Sequence, residues 1–193
     1  MNWLLTLLLG YLLGSIPFGL LLTRAAGAGD LRSIGSGSIG ATNVLRTGRK
    51  GLAAATVMLD AGKGALAVLL AHRFLPGTEG AAAIAAITGH CFPVWLKLRG
   101  GKGFATAAGV SLALAWPVLV VCAAVWAAAL ALSRISSVSS LSAVTAAPIV
   151  ALLFGLERTA VVLLAVAAIV IFQHRSNIAR LHARTEPRIG QES

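Results

Sequence analysis

The sequence predicts an all-α fold, a polytopic membrane helix bundle of about seven transmembrane helices with the N-terminus outside and the C-terminus cytoplasmic. Composition comes first: 58% of the 193 residues are apolar and 11% charged, at a mean hydropathy of +0.87, where a soluble domain carries roughly 45 to 50% and 25%. The apolar residues also fall into runs bounded by Gly, Pro or charge, most of them near the length a helix needs to cross a hydrocarbon core of about 30 Å. Lastly, the bases are spaced so that seven spans put nearly all of them on one side.

Residues 3–23 open the bundle. No base precedes Arg24, so the stretch lacks the positive leader of a cleavable signal and reads as a retained first span. Further spans are expected at 51–71, 80–97, 103–115, 117–133, 138–155 and 158–174. One helix over 103–133 would run roughly 45 Å, far beyond the core, so Pro117 beside Trp116 is expected to mark a tight reversal at an interface. With seven spans the inside segments hold Arg24, Arg32, Arg46, Arg49, Lys50, Lys97, Arg99, Lys102, Arg134, Arg175, Arg180, Arg184 and Arg188, and only Arg73 and Arg158 fall outside. Merging the fourth and fifth spans would carry Arg134 and the tail arginines outside, against the positive-inside bias. No linker or internal repeat divides the chain, so residues 1–193 are expected to form a single integral membrane domain.

Small residues at Gly10 and Gly14, and at Gly62 with Ala65 and Ala67, are expected to let helices approach closely. Cys91 and Cys122 lie in apolar runs with no CxxC spacing or histidine partner, which suits packing and not zinc or redox chemistry. The net charge of +10 sits in short loops, not in a stripe interleaved with exposed aromatics. Topology and anionic lipid account for it, and nucleic acid is not an expected partner.

Three polar groups stand out against this scaffold. The run Gly35 to Gly51, GSGSIGATNVLRTGRKG, combines glycine amides, Ser and Thr hydroxyls and Asn43 with Arg46, Arg49 and Lys50, which suits an anion such as phosphate. Such backbone is tolerated near a membrane where it lines a wet cavity or holds a ligand. It is not a Walker loop, since no GxxxxGK[ST] occurs. A second cluster, RGGKG at Arg99 to Gly103, opens a helix, so the amides of Gly101 and Gly103 and the positive helix end point where Lys102 points. The third group is His174, Arg175, Asn177 and Arg180, with Asn177 three residues from each of His174 and Arg180 and so on one face. Ser136, Ser137, Ser139 and Ser140 can add hydroxyls at that level or simply cap a helix. Inside the second span, Asp60 and Lys63 are expected to pair and to help hold the cytoplasmic loops, with a proton or ion path as the rival reading.

The absences narrow the chemistry. The six carboxylates, Asp30, Asp60, Glu79, Glu157, Glu186 and Glu192, form no sequence cluster able to clamp a divalent cation. None of the four histidines has an aspartate five residues on, so no dyad of that spacing can activate an acceptor hydroxyl.

The segments GSIPFG (Gly14 to Gly19), GSGSIGATN (Gly35 to Asn43), DAGKG (Asp60 to Gly64), GHCFPVWLKLRGGKGFAT (Gly89 to Thr106) and HRSNIARL (His174 to Leu181) occur in an order and spacing that resembles the bacterial acyl-phosphate:glycerol-3-phosphate acyltransferase family, nearly end to end. The resemblance implies a seven-helix enzyme of the bacterial cytoplasmic (inner) membrane that passes a fatty acyl chain from acyl phosphate to glycerol 3-phosphate, with no metal and no cofactor. It implies that Ser36, Gly37, Thr42 and Asn43, beside Gly35, hold phosphate, that Arg46 and Lys102 grip anionic substrate, and that His90, Ser140, His174 and Asn177 complete the pocket. A soluble acyl-phosphate-producing enzyme is a candidate partner at the basic loops. The chain departs from the family pattern at Ser38, where Asn is frequent, at Ile135, where an aromatic is frequent, and at Arg184, where the tail usually turns with Gly.

Both substrates carry phosphate, so holding them together needs fixed positive charge and amide donors. Acyl phosphate is a mixed anhydride with a good leaving group, and direct attack by the primary hydroxyl is expected, the donor's own phosphate oxygen taking the proton. His174 and His90 are expected to position substrate, since no orienting carboxylate stands beside either in the sequence, with either as the base the open alternative. A small transporter of an anionic metabolite is the alternative, although the glycine clusters lie at one expected face and no half repeats the other.

Overall fold

A computed structural model describes residues 2–190; Met1 and residues 191–193, Glu192 among them, lie outside the described residues. The chain is all helix and loop: α1 (Trp3–Gly14), α2 (Phe18–Ala25), α3 (Ala41–Leu45), α4 (Lys50–Phe74), α5 (Glu79–Cys91), α6 (Phe104–Ser133), α7 (Ser136–Leu153), α8 (Glu157–Gln173) and α9 (Arg175–His182). Four stretches, Trp3–Ala25, Lys50–Phe74, Phe104–Ser133 and Ser136–Leu153, are long and apolar enough to cross a membrane, and α8 with α9, bent by 60°, gives a fifth. Leu4, Met58, Leu132, Leu153 and Val161 stand well exposed around the bundle, where lipid and not water is the fitting solvent.

The first expected span is not continuous. Pro17 has no N–H to give and disfavours helix at the residue before it, so the chain breaks after Gly14 and restarts at Phe18. The expected 80–97 span also ends early, at Cys91, ahead of Pro93. Residues 92–98 become a tight turn with Lys97 and Leu98 left-handed (φ 53° and 62°). Tyr11 fastens that turn to α1: its hydroxyl donates to the Phe92 carbonyl at 2.8 Å and accepts from Val94 N at 3.0 Å.

The expected reversal near Pro117 is present. Ala115 is extended (φ −162°, ψ 87°) between two helical limbs, and Pro117 sits in the first turn of the second, where a missing N–H costs nothing. The Phe104 and Trp126 rings stack with centroids 6.4 Å apart; a straight helix would separate residues 22 apart by about 33 Å. The limbs therefore run antiparallel, and the second returns to the end where the first began.

Glycines set how closely the helices meet. A Cβ at Gly14 would overlap the Ala86 carbonyl and one at Gly109 the Ala61 carbonyl, while Gly10 lies against Ala82. The expectation for Gly62 fails: it faces open space, and Gly64, against Thr106, is the contact glycine of α4. One apolar core runs through α4 to α8, with Val110, Val118, Leu163, Val166 and Val170 buried. A smaller core of Leu20, Leu31, Ile39, Val44 and Ala53 lies under the first glycine loop and holds it on α2 and α4.

The two ends differ in charge. Thr6 meets Thr78 at 2.9 Å and Gly80 packs on Val162, so the α4–α5 and α7–α8 turns, with Arg73 and Arg158, share one end. Thr42 meets Ser136 at 3.3 Å at the other end, where Arg46, Lys102, Arg134 and Arg180 gather.

Gly14→Ala is expected to lower the melting temperature in detergent through overpacking of about 1–3 kcal/mol, whereas Gly62→Ala should raise it, since Ala favours helix over Gly by up to about 1 kcal/mol. Shifts of the same sign and size in a paired thermal melt would refute the assigned contacts.

Candidate active site

Four segments meet at the basic end: the loop at 31–46, the loop at 99–103, the start of α7, and the α8–α9 bend with the tail behind it. In the first loop Asn43 does a different job from the phosphate contact expected of it. It is buried, its Nδ2 donates to the carbonyls of Leu31 (2.9 Å), Ile34 (3.0 Å) and Ser38 (2.9 Å), and its Oδ1 accepts from Ser36 N (3.3 Å). The amide thus ties the loop together, giving the Ser38 carbonyl a partner and adding to the backbone bonds that the Leu31 and Ile34 carbonyls already accept. Gly35 is left-handed (φ 52°), and a Cβ there would overlap Arg46 Nη1, so glycine is what lets the guanidinium lie against the loop. Ser36, Thr42 and Arg46 remain exposed around it. Arg49 is turned aside, donating to the Ala26 carbonyl, and Lys50 starts α4 in the open.

The second loop is held from behind. Gly101 N donates to the His90 carbonyl (3.0 Å) and Gly100 N to the Cys91 carbonyl (3.1 Å), and Gln173 Nε2 donates to the same Cys91 carbonyl at 3.0 Å. Gly103, left-handed at φ 85°, starts α6 as expected. His90 is buried beside Asp60 and behind Gly101. It is not grouped with the other expected ligand-binding residues.

Lys102 lies in the middle of the charges. Burial pushes its ammonium down to about 8; Glu186 opposes that, while Arg180 and Arg46 push in the same direction. Glu186 reaches in from the tail and accepts from Ser137 Oγ (2.7 Å), Asn177 Nδ2 (2.5 Å) and Arg180 Nε (2.6 Å). Burial raises its carboxyl, but those three donors outweigh it and hold the group below the ordinary glutamate value. Three cations against one carboxylate leave a surplus of two positive charges, the complement of a phosphate dianion.

His174 caps the α8–α9 bend, buried, with Nδ1 2.8 Å from the Val170 carbonyl. A carbonyl only accepts, so Nδ1 carries the proton, and the neutral ring leaves Nε2 as an acceptor. Asn177 Oδ1 is buried without a partner and is a second free acceptor. Arg175, by contrast, lies over the Phe172 ring at 4.7 Å, away from the group. Of the serines, Ser136 faces Thr42, Ser137 binds Glu186, and Ser139 turns back to the Ile135 carbonyl. Ser140 is buried one turn deeper on the face of Ser136 and Ser137.

Glu186 was not among the expected site residues, while Arg180 stood only in the third basic group and Ser137 only among the candidate hydroxyls. Arg180 shares a face with Asn177, which is a usable sign; Glu186 is a single acid among Arg180, His182, Arg184 and Arg188, the pattern of a counter-ion. Arg184 is left-handed (φ 58°), so the tail makes there a turn that glycine would adopt without steric cost.

A family model described as glycerol-3-phosphate acyltransferase matches residues 4–184. A curated relative named glycerol-3-phosphate acyltransferase from Mesorhizobium japonicum is 55% identical over 186 residues, covering 96% of this chain and 95% of the relative, and one from Ruegeria sp. is 56% identical, covering 95% and 92%. The crystal structure of PlsY (YgiH), an integral membrane glycerol 3-phosphate acyltransferase, in its glycerol 3-phosphate form superposes with a TM-score of 0.92 at 33% identity, over 98% of this chain and 96% of that one. Its lysophosphatidic acid form gives 0.91 at 31%, with the same coverage. With matches of this extent in sequence and in structure, the chain belongs to the glycerol-3-phosphate acyltransferase family.

Proposed function

We infer that this chain transfers a fatty acyl group from acyl phosphate to the primary hydroxyl of glycerol 3-phosphate, forming 1-acyl-glycerol 3-phosphate (lysophosphatidic acid) and phosphate, the first step of phospholipid synthesis. The observation that carries it is the gathering of Arg46 and Arg180, from two other segments, around Lys102, next to His174 and to the unpartnered Asn177 Oδ1. The solved relatives, in glycerol 3-phosphate and lysophosphatidic acid forms, support the acceptor and the product. Family membership leaves the transporter alternative without support.

Arg46 with Ser36, Thr42 and the Gly35 amide receives one phosphate, and Lys102 with the Gly103 amide the other; the amides of Gly37 and Gly101, expected to join them, donate instead to the Ile34 and His90 carbonyls. Ser140 adds a hydroxyl, while Asn43 and His90 act through the loops they hold. His174 Nε2 and Asn177 Oδ1 accept hydrogen bonds from the glycerol hydroxyls and aim the primary oxygen at the acyl carbon. That oxygen attacks, the carbon–oxygen bond to phosphate breaks, and the proton passes to an oxygen of the departing phosphate. Orientation in a closed site supplies roughly 7 to 11 kcal/mol of barrier reduction at best, so a strong protein base is not required. Among the described residues no three His, Cys, Asp or Glu side chains converge as metal ligands.

The limbs of α6 count as two crossings, giving seven helices with the basic end in the cytoplasm of a bacterial inner membrane and the N-terminus outside. A soluble enzyme that makes acyl phosphate would meet that face.

Purified protein given acyl phosphate and glycerol 3-phosphate is expected to release lysophosphatidic acid and phosphate, unaffected by chelator and inactive with acyl-CoA; activity restored only by added magnesium or zinc would overturn the metal-free scheme. Arg46→Ala and Lys102→Ala should each cost about 1.5–3 kcal/mol of charge-assisted bonding, roughly tenfold to a hundredfold in kcat/KM for glycerol 3-phosphate. Wild-type turnover in both would remove the proposed grip. Lys102 is charged below its value of about 8, so kcat/KM should hold to about that pH and fall beyond it, levelling at the loss seen in Lys102→Ala. In Lys102→Arg the alkaline limb should vanish up to about pH 10, and a limb with an unchanged midpoint would assign it to another group.

A further inference from the structure

Behind the second loop lies a charged cluster that the proposed chemistry does not use. Asp60, Lys63 and His90 are each less than 5% exposed. Lys63 Nζ lies 2.7 Å from Asp60 Oδ1, donates to the Ile16 carbonyl at 2.7 Å, and sits 5.6 Å from the centre of the Phe18 ring. The break between α1 and α2 therefore anchors the ammonium, and the ammonium anchors the carboxylate. His90 Nδ1 is 3.7 Å from the same Asp60 oxygen. On its other side Nε2 lies against Gly101, where any Cβ would overlap it, and the Gly101 amide donates to the His90 carbonyl. Lys102 is the next residue.

Ionised groups inside a membrane bundle are costly, and a buried pair is weak support for stability as such. A conducting path would need polar groups continuing across the bundle. Along α4 the residues between Lys63 and His72 are apolar or glycine, and along α5 those between Glu79 and Thr88 are too, so neither of the helices that carry the cluster continues it toward the far end.

We propose that Asp60, Lys63 and His90 are positioning residues for the phosphate grip: the buried ion pair fixes the His90 ring, and the ring fixes Gly101 and with it the reach of Lys102. The idea rests on the reading of Lys102 as a phosphate ligand. Positioning of this kind matters because a displacement of about 1 Å can cost about a hundredfold in rate.

The test is a double-mutant cycle in purified full-length protein, with acyl phosphate saturating and glycerol 3-phosphate varied. His90→Ala is expected to raise KM for glycerol 3-phosphate about tenfold, with kcat within about threefold. In a Lys102→Ala background the same change should add less than about twofold, because no grip remains to be misplaced. Asp60→Asn alone strands a buried ammonium, so the doubly neutral Asp60→Asn, Lys63→Gln protein is the second variant. It should melt within a few degrees of wild type yet show the raised KM. Multiplying effects in the cycle, or a wild-type KM in the doubly neutral protein, overturn the inference while Lys102→Ala alone still tests the grip. A wild-type protein that makes no lysophosphatidic acid overturns both.

Discussion

Like charges do not gather in a partly buried pocket unless something of opposite sign is built in with them, and in this protein that group is Glu186. Its carboxylate is only 6% exposed and joins Arg180 of α9, Ser137 of α7 and Asn177 of α9 in one contact. The tail, the last helix and the start of α7 are thereby pulled to the place where Lys102 and Arg46 arrive from the two glycine loops. One carboxylate balances only part of that charge, and the remainder is what a phosphate would neutralise. The depressed ammonium of Lys102 owes most to burial, with Arg180 and Arg46 adding to it and Glu186 opposing it.

Glycine serves two ends in this fold. Between helices it brings backbone onto backbone, as at Gly14 and Gly109, in a solvent where packing and not the hydrophobic effect drives association. In the loops it leaves room for side chains that act: Arg46 lies where a Cβ at Gly35 would be, and His90 where one at Gly101 would be. Loop backbone this deep in an apolar protein must find partners, and it does so through Asn43 in the first loop and Gln173 in the second. Side chains that look like ligands in the sequence are therefore partly consumed in making the loops possible.

The chemistry asks for less than a catalytic triad. In the proposed reaction an anhydride donor would bring its own leaving group and proton acceptor, leaving the protein to overcome repulsion between two anions and to aim one hydroxyl. His174 suits aiming: the Val170 carbonyl fixes its tautomer, a task for which a carboxylate partner is not needed. The 60° bend at His174 then places Asn177 and Arg180 across the mouth of the bundle instead of extending α8 past it.

Much of this could be read from the chain alone, because it follows from local chemistry. Apolar run length fixes where helices can cross; Pro117 and Trp116 mark the reversal in α6; Asp60 and Lys63, three apart in an apolar helix, have to pair. What the chain alone does not reveal is which distant groups share a pocket. Asn43 reads as a ligand until its amide is seen satisfying three loop carbonyls, and Glu186 reads as a tail acid until it is seen among Ser137, Asn177 and Arg180. His90 has no carboxylate near it in sequence, yet α4 brings Asp60 alongside. Hydrogen-bond satisfaction and charge balance are sums over everything within a few ångströms, and only the packed helices decide what those few ångströms contain.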